Sequence, residues 1–268
     1  LIQHGSLNNR IYLMSLDKRD YPMIFPLLDK IAQKNQYTKI FAKVPKWAVN
    51  EAEQNGYVIE AIIPGLFTNL TDGFFLGKFL DGSREKIKNN TNEKIKKVAE
   101  KFLKYANTPI TRYMKQKATI LQLTKRDAIN LAKLYERVFD TYPFPIHNYD
   151  YIKKMMDDHV IYFGIKKDDQ LIAASAAEIN LDHEFVEMTD FATIPEERGN
   201  NYALYLLQYM EKEMIKKNIH TTFTISRAVS YGMNITFAKA GYTYAGLLKN
   251  NTAIDGNLES MNVLYKKI

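Results

Sequence analysis

The segment Phe191-Ala192-Thr193-Ile194-Pro195-Glu196-Glu197-Arg198-Gly199-Asn200-Asn201-Tyr202-Ala203 changes hydrophobic period within a few residues. Before it, Glu184–Ile194 reads as a strand. After it, Tyr202–Lys217 lines Leu204, Leu206, Leu207, Met210 and Met214 along one helical face. A strand entering a helix through a tight polar turn exposes the first helical N–H groups, which carry partial positive charge and lack intrahelical acceptors. Gly199 lets an anion approach closely, and Asn200 and Asn201 tolerate left-handed backbone, so successive N–H groups can converge on a pyrophosphate. An ordinary helix entry has the same features, so the turn needs its context.

That context is a long alternation of elements. Ala118–Leu123 alternates like a strand, Ala128–Phe139 is helical, and Thr141-Tyr142-Pro143-Phe144-Pro145-Ile146-His147 is a proline-stiffened loop. Asp150–Asp157 is a short helix, followed by Val160–Lys166 and Leu171–Asn180 as a hairpin about Lys167-Asp168-Asp169-Gln170. Beyond the central strand and helix come Thr221–Ile225, the helix Tyr231–Ala240, and a closing hairpin of Tyr242–Leu248 with Leu258–Tyr265. The expected order is β-α-α-β-β-β-α-β-α-β-β, an α+β fold.

Upstream, residues 1–82 read as a smaller α/β domain with strand-like runs at Asn9–Met14, Lys39–Val44, Tyr57–Ile63 and Gly73–Phe79. Residues 83–117 read as a basic helical linker, with Lys86, Lys88, Lys94, Lys96, Lys97, Lys101, Lys104, Arg112, Lys115 and Lys117 around an apolar stripe. The break at Asn107-Thr108-Pro109 precedes the second domain, 118–268. The two units echo one another. Ala42 leads through a helical stretch to Gly56-Tyr57, and Arg227 leads to Gly241-Tyr242 over the same 15-residue interval, a pattern that half-related domains would show and that chance also produces.

Composition narrows the chemistry. The chain has 268 residues, a formal charge of +7 and 46% hydrophobic residues, enough for buried cores and incompatible with disorder as the main state. Most of the excess charge lies in the helical linker, so it argues neither for nucleic acid nor for a membrane face as partner. No apolar run reaches the ~18 residues of a membrane span, and no leader pattern opens the chain, although Leu1 is not a methionine; a cytoplasmic protein is expected. The absence of cysteine removes thiolate nucleophiles and Cys-based zinc sites, and the five histidines (4, 147, 159, 183 and 220) never recur at a metal-ligand spacing, so no metal is expected. Carboxylates, hydroxyls, amides and backbone remain.

With its strand order, the turn at Arg198–Ala203 resembles that of the GNAT superfamily of acyl-CoA N-acyltransferases, over residues 118–268. The resemblance implies acetyl-CoA as co-substrate, with Phe191, Ala192 and Thr193 pairing with its pantetheine arm. It places Arg198, Gly199, Asn200, Asn201, Tyr202 and Ala203 around its pyrophosphate, with Asn234 and Phe237 also in contact. The chain departs from the family at Glu196, where Gln or Arg is usual, at Asn201, where Gly or Ala is usual, and at Phe237, where many members have a Tyr that protonates the departing thiolate. A phenyl ring cannot do this, so either Tyr231 substitutes or a thiolate of ordinary pKa about 8.5 leaves unaided. Lys43-Val44-Pro45-Lys46-Trp47-Ala48, Pro64-Gly65-Leu66-Phe67, Tyr142–His147, Glu187–Thr193 and Ser230–Phe237 together are similar to the bacterial and archaeal β-lysine N-acetyltransferases, whose product Nε-acetyl-β-lysine is a compatible solute.

An acceptor amine of pKa near 10.4 is neutral in about one molecule in 10³ at pH 7, a deficit of about 4–5 kcal/mol, so a general base or a desolvating site is required. Glu187 occupies the strand position of a catalytic Glu in several members of the family, and Asp190 is the second candidate; strict alternation separates their faces unless a bulge intervenes. Cationic and anionic ends of a diamino acid call for acids, an Arg or amides, and an apolar wall. Asp190, Arg227, Phe144, Tyr231, Asn234, Asn250 and Glu259 are the candidates, Asp190 and Asn234 foremost; His147 reads as structural. Direct transfer between a small-molecule amine and acetyl-CoA is expected, with a homodimer as the expected assembly if the first domain mediates association. Another acceptor amine, a silent acyl-CoA sensor and a nucleic-acid-binding module are the alternatives.

Overall fold

A computed structural model describes residues 1–87, 91–106, 118–254 and 256–268. Of the basic block, Lys88, Arg112, Lys115 and Lys117 lie outside the described residues, as does the break at 107–109. The chain runs β1 (Ile2–Gly5), β2 (Arg10–Leu13), α1 (Ile24–Asn35), β3 (Lys39–Pro45), α2 (Val49–Gln54), β4 (Val58–Phe67), β5 (Thr71–Phe79), α3 (Gly82–Glu85) and α4 (Thr91–Glu100). It continues through β6 (Ala118–Gln122), α5 (Ala128–Val138), α6 (Tyr149–Asp158), β7 (Val160–Lys167), β8 (Gln170–Asn180), β9 (Phe185–Thr193) and α7 (Tyr202–Ile215). The last elements are β10 (Thr221–Arg227), α8 (Tyr231–Lys239), β11 (Thr243–Ile254) and β12 (Asn257–Lys267). From β6 onward the element order is the one read from periodicity.

The expectation of two domains bridged by a helix is corrected in one respect. A single sheet of twelve strands, in the order β1-β2-β3-β5-β4-β11-β12-β10-β9-β8-β7-β6, runs through both units. Nor does α4 stand off as a bridge. Its Ile95 and Ala99 are buried, Lys96 Nζ lies 4.0 Å from the Tyr244 ring centroid, and after the helix Phe102 receives Lys239 at 5.2 Å, so the basic segment packs along α8.

The internal echo coincides with a repeated topology. In β2-α1-β3-α2-β4-β5 the first two strands pair in parallel and the last three antiparallel, in spatial order β2-β3-β5-β4. β9-α7-β10-α8-β11-β12 does the same, in order β9-β10-β12-β11. Gly56 and Gly241 both have left-handed φ (82° and 87°), and Tyr57 and Tyr242 are both buried. The strands, however, align three residues away from the sequence interval: Lys39 opposite Phe79 matches Thr221 opposite Lys267, so Ala42 does not stand where Arg227 does. The two repeats meet edge to edge, β4 against β11, at the bridge between Ala61 and Gly246, five residues beyond each repeat's glycine. Only glycine fits there, since a Cβ on Gly246 would come within 2.2 Å of the Glu60 carbonyl oxygen.

Around this seam polar groups are buried and paired. Lys39 Nζ donates to Glu60 Oε2 (2.7 Å) and to the Lys249 carbonyl (2.8 Å), while Glu60 Oε1 accepts from the Lys249 N–H (2.6 Å). Arg84 donates to the carbonyls of Asn250 and Asn8 and to Thr38 Oγ1. Arg10 donates to the Asn251 carbonyl and to Thr252 Oγ1. On the same side of the sheet a core shared by both repeats collects Tyr12, Phe41 and Phe75 with Phe185, Phe223 and Val263. A separate core joins β6–β9 to α5, α6, α7 and α8. No helix among the described residues is long and apolar enough to cross a membrane.

Candidate active site

The site forms where β9 and β10 part. Their parallel pairing covers only Phe185, Val186 and Glu187 against Thr221, Thr222 and Phe223, which leaves the later backbone of β9 open toward β10. On its other edge β9 carries a bulge: Thr189 pairs with Ala176 and Ala192 with Ala174, so Asp190 and Phe191 together face Ser175. Ser175 Oγ donates to the Thr189 carbonyl (2.8 Å), and Asp190 takes a left-handed φ of 55°. The extra residue changes the alternation. Phe191 points to α8, its ring 5.5 Å from that of Phe237, whereas Asp190 turns the other way and accepts a hydrogen bond from Tyr142 Oη (2.5 Å). Glu187 and Asp190 therefore share a face, as a bulge would require.

A third carboxylate joins them. Glu178 lies directly opposite Glu187 across the β8–β9 ladder, a cross-strand pairing of like charges that costs stability unless protons or cations intervene. All three side chains are half-buried. Burial, then the neighbouring Glu178, pushes the Glu187 carboxyl up to about 8, against the opposing pull of Lys43 and Arg10. Burial raises Asp190 to about 7 although the Tyr142 hydrogen bond favours its anion, and burial also raises Glu178. A carboxylate with a pKa near neutrality accepts a proton far better than an ordinary one.

These shifts make stability pH-dependent. An unfolded Glu loses its proton near 4.5, while folded Glu187 keeps it to about 8, so between those values the folded state binds more protons and stability falls as pH rises. Glu187→Gln removes that slope. The variant is expected to melt at the wild-type temperature at pH 4.5 and several degrees above it at pH 8.5, as measured by calorimetry across the range.

On the opposite side, the turn after β9 offers anion-binding backbone. Gly199 has φ 81° with open space where a Cβ would stand, and Asn201 caps α7 in left-handed backbone (φ 60°, ψ 22°). Asparagine thus supplies the conformation for which the family uses a smaller residue. Among the described residues, the N–H groups of Gly199, Asn200, Asn201, Tyr202 and Ala203 have no acceptor within the protein. Asn200 Nδ2 donates to the Glu197 carbonyl (2.9 Å), and Lys167 neutralises the Glu197 carboxylate at 2.5 Å. Arg198 is exposed beside the turn. These donors fit a pyrophosphate.

Several expected roles are corrected. Phe237 is fully buried between Phe191 and Tyr242, a core residue rather than a cofactor contact. Asn234 is 1% exposed; its Nδ2 donates to the Arg227 and Ser230 carbonyls and its Oδ1 accepts from Asn262, so it braces the start of α8. Arg227 and Glu259 engage each other through two hydrogen bonds of 2.8 and 2.6 Å, so neither presents a free charge to a ligand. Asn250 donates to the carbonyls of Arg84 and Lys86 and fastens the connecting segment. Tyr231 opens α8 at 47% exposure, Phe144 packs against the core beside Tyr142, and His147 is exposed.

Four groups were missed in the sequence. Glu178, Tyr142, Lys43 and Arg10 come from β8, the proline loop, β3 and β2, and only the tertiary fold assembles them around Glu187. A signal existed for two: Glu178 is the lone acid in the apolar run Leu171–Ile179, and Lys43 interrupts the apolar strand Ile40–Val44.

Comparison with known proteins adds to this geometry. The family model for the acetyltransferase (GNAT) family matches residues 128–242. A β-lysine N(6)-acetyltransferase of Methanococcus maripaludis is 40% identical over 99% of this chain and 95% of its own. One of Methanosarcina mazei is 29% identical over 88% of this chain and 93% of its own. Among solved structures, the ribosomal-protein-S18-alanine N-acetyltransferase of Escherichia coli aligns with 56% of this chain and 94% of its own, at 15% identity and a TM-score of 0.50, which shows a shared fold.

Proposed function

Because the chain belongs to the GNAT family of N-acetyltransferases, we propose that it transfers the acetyl group of acetyl-CoA to the ε-amine of β-lysine. The observation that carries the chemistry is the group Glu187, Glu178 and Asp190, three half-buried acids with raised pKa at the point where β9 and β10 separate. The acceptor follows from the full-length similarity to the two archaeal enzymes and from the fit of an acid-lined site to a diamine.

The unpartnered N–H groups of residues 199–203 hold the pyrophosphate of acetyl-CoA, and the open edge of β9 at Phe191, Ala192 and Thr193 receives its pantetheine arm. The acceptor enters as an ammonium, whose charge stabilises ionised Glu187. Glu187 takes the proton, the neutral nitrogen attacks the thioester carbonyl, the new C–N bond forms and the C–S bond breaks. With Phe237 buried, no family-type tyrosine stands at its position, and the sulfur leaves as thiolate, which takes up the second proton that the acylated nitrogen sheds. No covalent acyl-enzyme is needed.

The test is mass-spectrometric product analysis with acetyl-CoA and L-β-lysine, α-lysine and polyamines in competition. Preferential formation of Nε-acetyl-β-lysine supports the assignment. Preference for another amine moves the acceptor within the same chemistry, and acetyl-CoA binding without any acetylated product overturns it.

A further inference from the structure

One cation in the shared core, Lys43, has neither a hydrogen-bond nor an ion-pair partner among the described residues. Lys43, on β3, is 8% exposed, and among the described residues its Nζ makes no hydrogen bond and no ion pair within 4 Å. It lies 4.8 Å from the ring centroid of Phe185 and 5.2 Å from that of Phe223, which pairs with Glu187 at the last position before β9 and β10 part. Its electrostatic partners are Glu187 and Glu178, which touch neither it nor each other through a hydrogen bond. Nearby, Tyr12 Oη and Arg10 Nε are also buried without partners. A buried ammonium and two half-buried carboxylates held apart are costly together unless a ligand completes them. The complement of this arrangement has ammonium groups toward the acids and an anion toward the lysine.

We propose that Lys43, contributed by the N-terminal repeat, binds the carboxylate of the acceptor and makes the enzyme select amino acids over simple diamines. The inference rests on the proposed acetylation of a diamino acid and adds the group that reads its acid end. The N-terminal repeat thereby acquires a task in the reaction: β3 supplies a specificity residue where its counterpart β10 has Ile225, and β2 has Tyr12 where β9 has Glu187.

The test compares L-β-lysine with pentane-1,5-diamine, which keeps two amines and lacks the carboxylate. For Lys43→Met the KM for L-β-lysine should rise ~10²-fold, while that for the diamine stays level or falls, with acetyl-CoA affinity preserved. Lys43→Arg should retain most of the preference. Equal losses on both acceptors, or an unchanged preference, overturn the proposal. A measurement on the wild type needs no variant: 6-aminohexanoate should compete with L-β-lysine more strongly than pentylamine, and the reverse order also overturns it. A wild type that acetylates neither acceptor refutes the proposed function instead, so the two failures are distinguishable.

Discussion

Glu187→Gln is expected to bind acetyl-CoA as the wild type does and to turn over at least ~10²-fold more slowly, the usual contribution of a positioned general base. The pH profile identifies the cause. With Glu187 near 8 and the acceptor amine near 10.4, wild-type kcat/KM should rise tenfold per pH unit up to about 8 and then level, because the productive encounter joins ionised Glu187 to an ammonium. In the Gln variant the break near pH 8 should vanish, and the much slower reaction should climb with the free-amine fraction across the whole range. Stopped-time assays of CoA release from pH 6 to 10 read both quantities. Undiminished turnover, or a break still at about pH 8, would remove Glu187 from its role.

The largest stability effect is expected at the seam between the repeats. Lys39 and Glu60 form an ion pair at 0% and 1% side-chain exposure, and burial lowers the Lys39 pKa to about 8 despite the attraction of Glu60. Glu60→Ala strands that ammonium and also releases the Lys249 N–H. Breaking a buried pair from one side costs about 3–5 kcal/mol, which in a chain of this length corresponds to a Tm roughly 10 °C lower. The double change Lys39→Met with Glu60→Leu should recover most of the loss, since it removes both charges and keeps apolar volume. Differential scanning calorimetry of the two variants and the wild type decides. Equal losses in the single and double variants would show that the hydrogen bonds at the seam, rather than the stranded charge, carry the cost.

Much of the C-terminal architecture was legible because local period encodes it. The apolar run of β8 and the one-sided stripe of α7 are short-range patterns, and the turn at Gly199 depends on residues adjacent in the chain. Glu187 and Asp190 were legible as candidates on one strand, and the bulge that unites them was open to anticipation but not to placement. Arg227, Glu259, Asn234 and Asn250 were misread for the opposite reason: each has ligand-like chemistry, and each spends it on a partner distant in sequence or on the backbone of the fold.

The sequence by itself determined the element order of residues 118–268, the tight turn at Gly199, the exclusion of thiol chemistry and the strand that carries Glu187. Those properties follow from neighbours along the chain and from composition. Tertiary structure decided that one sheet joins two repeats, that Glu178 faces Glu187, and that Lys43 lies unpaired over Phe185 and Phe223. The pairing of Glu178 with Glu187 depends on strand register, and the place of Lys43 on side chains that meet across more than 100 residues, where periodicity carries no information and burial sets both the charge and the chemistry.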